Sequence, residues 1–218
     1  MTIVVLACGE VPVPANLSAL PHHALDTVPG RAAIDPLIAD ASRFIVAGND
    51  AAFAAVVTRL MRRERLDVEV AYVAPRRTPA TRRYGLPIGT RAAALALTGE
   101  AHKLPLIRDD AGIALVGQAS VSGPHGAELF GEAYVDDTRL FLGEIAGVEI
   151  HPTAEMPGLR ACVVRNRLMR RRWVAGRAIQ MGAHELALVR DGVPHPRIVT
   201  RSTFYRHTEA LRLVLPTK

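Results

Sequence analysis

The sequence predicts an α/β lobe at the N-terminal end, followed by a mostly antiparallel β-sandwich lobe. Three observations carry this expectation. A strand, a tight turn, a helix and a second strand follow one another between Arg43 and Val73. After Pro87 the pattern shifts to short apolar runs separated by Gly, Pro and Asp. The composition, 49% hydrophobic and 22% charged, lies in the globular range, with neither the polarity of disorder nor the cysteine density of a disulfide scaffold. The expected boundaries are 1–88 for a short α/β lobe, 89–208 for the β-rich lobe, and 209–218 for a closing strand that returns to the first lobe or its boundary.

Ile3 to Ala7 is a β-branched apolar run ending at Cys8-Gly9, the signature of a buried strand. The segment holding Pro12, Pro14, Pro21 and Pro29 is too broken for long regular structure. Arg43 to Ala47 is the next strand, and Gly48-Asn49-Asp50 turns it into a helix whose Phe53, Val56, Val57 and Leu60 recur at helical spacing. The helix runs out at Arg62-Arg63, and Val68 to Val73 forms another strand, ending before Pro75. Such a β-α-β unit crosses over right-handedly and offers its ligand-binding turns at the carboxyl ends of the strands, here Gly48 to Asp50 and Pro75 to Thr78. A further helix is expected over Thr90 to Leu97. Strands are expected over Ile113–Gln118, Leu140–Ile150, Arg160–Val164, Arg177–Met181, Leu186–Arg190 and Leu211–Leu215, several bounded by turn signals such as Asp191-Gly192.

A net charge of +6 favours contact with phosphates on nucleotides, nucleic acid or an anionic membrane. Of the 27 basic residues, however, only Lys103 and Lys218 are lysine, so the arginine excess also fits a genome-wide compositional bias. No run approaches the roughly 18 apolar residues of a spanning helix, and the opening apolar run lacks a basic flank and a cleavage site. Cys8 and Cys162 stand far apart without a CxxC partner, which suggests a reducing, cytoplasmic compartment and no cysteine metal site.

The Gly48-Asn49-Asp50-Ala51-Ala52 turn, Pro75-Arg76-Arg77-Thr78 with Gly85-Leu86-Pro87, the β-rich second half, and Gly176 to Met181 with Asp191-Gly192 come in an order that resembles the diacylglycerol kinase catalytic family. These bacterial lipid kinases are related in fold to NAD kinases. The resemblance covers about Phe44 to Pro216. It implies a nucleotide-binding-like first lobe and ATP with magnesium as the cofactors in question. The implied nucleotide contacts are Gly48, Asn49, Asp50, Arg76, Arg77 and Thr78, and Asp191 is the implied catalytic residue.

The departures from the family pattern argue against the reaction. Asn49, Ala51 and Ala52 stand where the family has Gly, Gly and Thr. Arg77 replaces a glycine and is expected to fill the volume through which a phosphate would approach. Val193 stands at the glutamate implied as the base, and Val cannot accept a proton. Together these losses predict phosphotransfer that is lost or strongly reduced, leaving a binding or regulatory protein. An active lipid kinase in which Arg76 and Arg77 neutralise phosphate is the alternative.

Other residues have two readings each. Arg167, Arg170, Arg171 and Arg172 beside Trp173 form either a solvated loop or a contact for anionic lipid at the inner membrane face. Asp136-Asp137 is a turn or a carboxylate pair. His22-His23 lacks further zinc-spaced ligands and is expected on a surface loop. With 5% aromatic residues and no helix-turn-helix or zinc-finger spacing, nucleic acid is not an expected partner. A homodimer is compatible with the sequence.

Overall fold

The computed structural model describes residues 2–164 and 171–217. The chain divides into two compact units, one made of Met1–Leu104 with Glu209–Lys218 and the other of Pro105–Thr208.

The first unit opens with strand β1 (Ile3–Cys8), followed by β2 (His22–Leu25), helix α1 (Arg31–Ile38), β3 (Arg43–Ala47), α2 (Asp50–Arg62) and β4 (Glu69–Val73). Two helices, α3 (Pro79–Arg83) and α4 (Gly89–Thr98), lead to β5 (Glu100–Leu104). In sheet order, β2, β1, β3 and β4 are parallel neighbours; the closing strand Leu211–Leu215 adds parallel to β4, and β5 completes the edge antiparallel to it. The last five residues of β1 and all of β3 are buried. Their near-continuous apolar runs are what a parallel sheet covered on both faces requires.

Helix α2 forms because Asn49 caps it, its side chain accepting the Ala52 N–H at 2.8 Å, while Phe53, Val56, Val57 and Leu60 line its buried side. Arg59 and Arg62 in its last turn complement the helix dipole. The cap is therefore Asn49, and Asp50 is left for another task. The proline-broken region still holds a 3-10 turn, Ala15–Leu17, and β2, which borrows its hydrogen bonds from β1; the short helix α1, containing Pro36, follows it.

The boundary expected at residue 88 moves to 104. Ala92, Ala93 and Ala96 of α4 are buried in the core of the first unit, and β5 pairs with the closing strand along its whole length.

The second unit contains β6 (Ile107–Asp109), β7 (Ala114–Leu115), β8 (Ala119–Ser122), β9 (Leu129–Val135), β10 (Thr138–Ile145), β11 (Val148–Pro152), β12 (Leu159–Val163), β13 (Val174–Gly176), β14 (Ala178–Arg190), β15 (Val193–Pro194) and β16 (Val199–Arg206); the closing strand is β17. All pairings in this unit are antiparallel. The expected runs Arg177–Met181 and Leu186–Arg190 belong to one strand, β14. Its first part pairs with β9 and β16 and its last part with β8 and β15, with a register shift between Gly182 and Leu186. Such a bulge lets one strand serve two sheet faces. The expected run Leu140–Ile150 is instead broken into β10 and β11 at Ala146-Gly147. The strands join into one 11-stranded sheet, and Leu129, Phe141, Ile150, Leu159, Ile179 and Phe204 build its core. Along β9, buried Leu129, Ala133 and Val135 alternate with exposed Phe130 and Tyr134, the period-two pattern of a half-covered sheet.

Candidate functional site

In the first unit, β1 leads to β2 on one side and the chain returns through α1 to β3 on the other. The carboxyl ends of β1 and β3 therefore flank the point where strand order reverses, which is where open α/β sheets hold their ligands. A cavity of about 360 Å³ lies there, lined by Cys8, Gly9, Glu10, Val11, Thr27, Gly48, Asn49, Pro75, Arg76 and Thr78. That volume is in the range of small-molecule sites, about 300–1,000 Å³.

Two glycines shape this cavity. Gly9 has φ +73°, and a Cβ there would meet the Thr27 hydroxyl at 2.9 Å. A Cβ at Gly48 would come within 3.1 Å of the Cβ atoms of both Cys8 and Ala52. Glycine at 48 thus lets the start of α2 approach the end of β1, bringing the positive end of the helix dipole to the cavity wall. Burial pushes the Cys8 thiol up to about 11, so it stays neutral and unreactive at neutral pH.

Of the residues singled out in the sequence, Gly48, Asn49, Arg76 and Thr78 line this cavity; Asp50 and Arg77 do not. Asp50 is buried, with one carboxylate oxygen 2.8 Å from the Tyr72 hydroxyl and the other accepting the Ala80 N–H at 3.0 Å. Tyr72 is itself stacked on Phe53, with ring centroids 4.6 Å apart. Asp50 thus ties α2 to β4 and to the first turn of α3. Thr78 caps α3 in a reciprocal box with Thr81. Arg77, expected to fill a glycine's volume, is exposed, and its neighbour Arg76 forms the cavity wall instead.

Asp191 lies in the second unit at φ +48°, in the turn between β14 and β15. Its buried carboxylate accepts the N–H groups of Val116, Gly117 and Gln118 at 3.0, 2.7 and 2.9 Å, and its own N–H donates to the Gln118 carbonyl. The preceding Arg190 forms a buried ion pair with Asp109 at 2.6 Å. Val193 is an exposed side chain. Both oxygens of Asp50 are already accepting from the protein, and among the described residues no three His, Cys, Asp or Glu side chains are gathered.

The remaining residues resolve individually. Asp136 is a turn residue whose carboxylate accepts the N–H groups of Arg177 and Ala178. His22 and His23 belong to β2. Arg171 is paired with Glu149, and Trp173 is packed between His151 and Arg160. Arg167 and Arg170 fall outside the described residues. No helix among the described residues is long and apolar enough to cross a membrane.

Sequence reasoning missed Cys8, Gly9, Glu10, Val11 and Thr27 as cavity residues. The signal that could have found them was strand order, since the reversal becomes visible only once β2 is recognised beside β1.

This mixed α/β sheet with its reversal point, joined in one chain to a large antiparallel sheet, is consistent with the fold of diacylglycerol kinase and NAD kinase structures. The chain is similar to a diacylglycerol kinase from Bacillus anthracis str. Sterne, with a TM-score of 0.70, 12% identity, and coverage of 99% of this chain and 97% of that one. It is also similar to an NAD kinase from Archaeoglobus fulgidus in complex with ATP, with a TM-score of 0.64, 11% identity, and coverage of 97% and 93%. No family model matches the sequence, and no curated protein matches it.

Proposed function

We propose that this chain is a diacylglycerol-kinase-like protein with lost or strongly reduced phosphotransfer, acting as a binding or regulatory protein for a phosphate-bearing ligand such as a nucleotide. The observation that supports this is the capture of both retained acids by the scaffold. Asp50 accepts from Tyr72 and Ala80, and Asp191 from three backbone N–H groups. Phosphoryl transfer needs acids free to hold a metal and to position the acceptor hydroxyl. Acids engaged in this way hold loops in place.

Ligand capture rests on other groups. Arg76 in the cavity wall supplies a fixed positive charge, and the start of α2 at Gly48-Asn49 supplies the helix dipole. The ATP carried by the similar NAD kinase makes a nucleotide the first ligand to test.

Labelled ATP, magnesium and diacylglycerol incubated with the protein should give no measurable product, while a nucleotide panel should raise the melting temperature. Turnover in the ordinary kinase range of about 1–100 s⁻¹ would refute the proposal. An absence of any nucleotide shift would refute its binding half. The second reading, an active lipid kinase with a rewired phosphate site, is favoured by the place of Arg76 in the wall. It predicts that Arg76→Gln abolishes turnover as well as binding.

A further inference from the structure

The second unit has a cavity of its own, about 110 Å³, lined by Thr138, Arg139, Leu140, Val163, Arg172 and Val174. A single water needs only roughly 10–15 Å³ measured this way, so there is room for a larger polar group. Its wall has two chemical halves. Leu140, Val163 and Val174 pack against the core of the β-rich unit and make an apolar floor. Thr138, Arg139 and Arg172 bring a hydroxyl and two cations from separate places in the chain, the start of β10 and the approach to β13.

The two cations are the telling feature. Both arginines are exposed, so an incoming anion can reach them and take charge-assisted hydrogen bonds from each. Among the described residues neither Arg139 nor Arg172 forms an ion pair. The nearby acids are otherwise engaged or do not pair: Glu149 holds Arg171, Asp136 accepts backbone N–H groups, and Asp137 makes no ion pair with either arginine. Residues 165–170 contain no Asp or Glu. The position also coincides with the register shift of β10 between Arg139 and Phe141, which makes Leu140 the additional residue of a bulge. Bulges of this kind re-aim side chains next to binding sites.

We propose that this cavity is a phosphate-binding site. Arg139 and Arg172 hold the phosphate oxygens, Thr138 adds a hydroxyl donor, and the apolar floor takes the carbon end of an ester. The phosphate belongs either to a lipid headgroup or to a free small molecule. This proposal rests on residues of the second unit alone and does not depend on the function proposed for the cavity of the first unit.

The test uses the full chain carrying Arg76→Gln, so that the first cavity does not contribute. Calorimetric titration with inorganic phosphate at low ionic strength measures the shared chemistry, and flotation with phosphatidylcholine vesicles, with and without phosphatidylglycerol, measures the headgroup arm. Arg139→Gln and Arg172→Gln should each weaken phosphate binding about tenfold, equivalent to about 1.4 kcal/mol. Arg171→Gln, whose arginine is already paired with Glu149, should leave it within about twofold by the same arithmetic. All three are exposed positions, and an unchanged melting temperature certifies the fold. Phosphate binding together with phosphatidylglycerol-dependent flotation, both lost in the double variant, assigns the site to a headgroup. Phosphate binding without flotation assigns it to a free phosphate. No binding in either arm, or binding that survives the double variant or falls equally with Arg171→Gln, overturns the proposal.

Discussion

Replacing Asp191 with Ala separates a structural acid from a catalytic one, because the two roles predict different signs. A carboxylate held for chemistry is often a source of strain, so its removal leaves stability unchanged or raises it. The Asp191 carboxylate instead accepts three N–H groups, from Val116, Gly117 and Gln118, in a buried turn. Each buried donor left without a partner costs about 1–3 kcal/mol. Water entering the vacated space can re-satisfy one of the three, so the expected loss is about 3–4 kcal/mol. For a unit the size of Pro105–Thr208, each kcal/mol moves the melting temperature by about 4–8 °C, which places the expected drop at about 12 °C or more. Calorimetry reads the drop, and hydrogen exchange at the amides of residues 116–118 reads its local origin. Asp191→Asn keeps one carbonyl acceptor and should lose about half as much. A melting temperature within about 2 °C of the parent, with those amides still protected, would refute the structural assignment.

Three further outcomes are expected. Tyr72→Phe removes the hydroxyl at 2.8 Å from Asp50 and should destabilise by about 1–2 kcal/mol in a denaturant titration; a neutral result would mean that Asp50 does not depend on this partner. Arg43 joins Glu69 at 2.6 Å and donates to the carbonyls of Ala96 and Gly99, while Arg212 pairs with the other Glu69 oxygen at 2.8 Å, so Arg43→Met should cost about 3–5 kcal/mol, and a loss well below that would show that Arg212 alone keeps Glu69 satisfied. Burial raises the Cys8 thiol from 9.0 to about 11, so its stabilising contribution is complete below pH 9 and is lost between about pH 9 and 11; the expected fall is about 2–3 kcal/mol. Cys8→Ala should flatten that part of the pH–stability curve, and an unchanged slope would assign it to other groups.

The parts of the fold legible in the sequence are those where local pattern and tertiary role agree. β3, α2 and β4 follow from apolar runs, helical spacing and a Gly-Asn-Asp turn, each sufficient to specify its own element. β2 could not be read this way, because His22-His23-Ala24-Leu25 has little strand character and pairs only because β1 offers an edge. That one strand creates the reversal of order that locates the cavity, so the position of the site was less legible than the residues of its turn. β14 was divided in two for a related reason: the residues from Gly182 to Glu185 interrupt its apolar pattern where its register shifts, and only the pairing on either side shows one continuous strand.

The same distinction explains why a retained acid is weak evidence for a retained reaction. Asp50 and Asp191 each sit where a resemblance in sequence order would place a functional carboxylate, yet sequence order cannot report which donors a carboxylate meets. A short anion flanked by turns serves equally well to gather N–H groups that secondary structure leaves unpaired. Asp50 does this for the first turn of α3 together with the Tyr72 hydroxyl, and Asp191 for the loop from Val116 to Gln118. Whatever stands at the neighbouring Ala51, Ala52 and Val193, removing either acid leaves donors without their partner. Stability alone is then enough to keep both aspartates in place, whether or not the protein transfers phosphate.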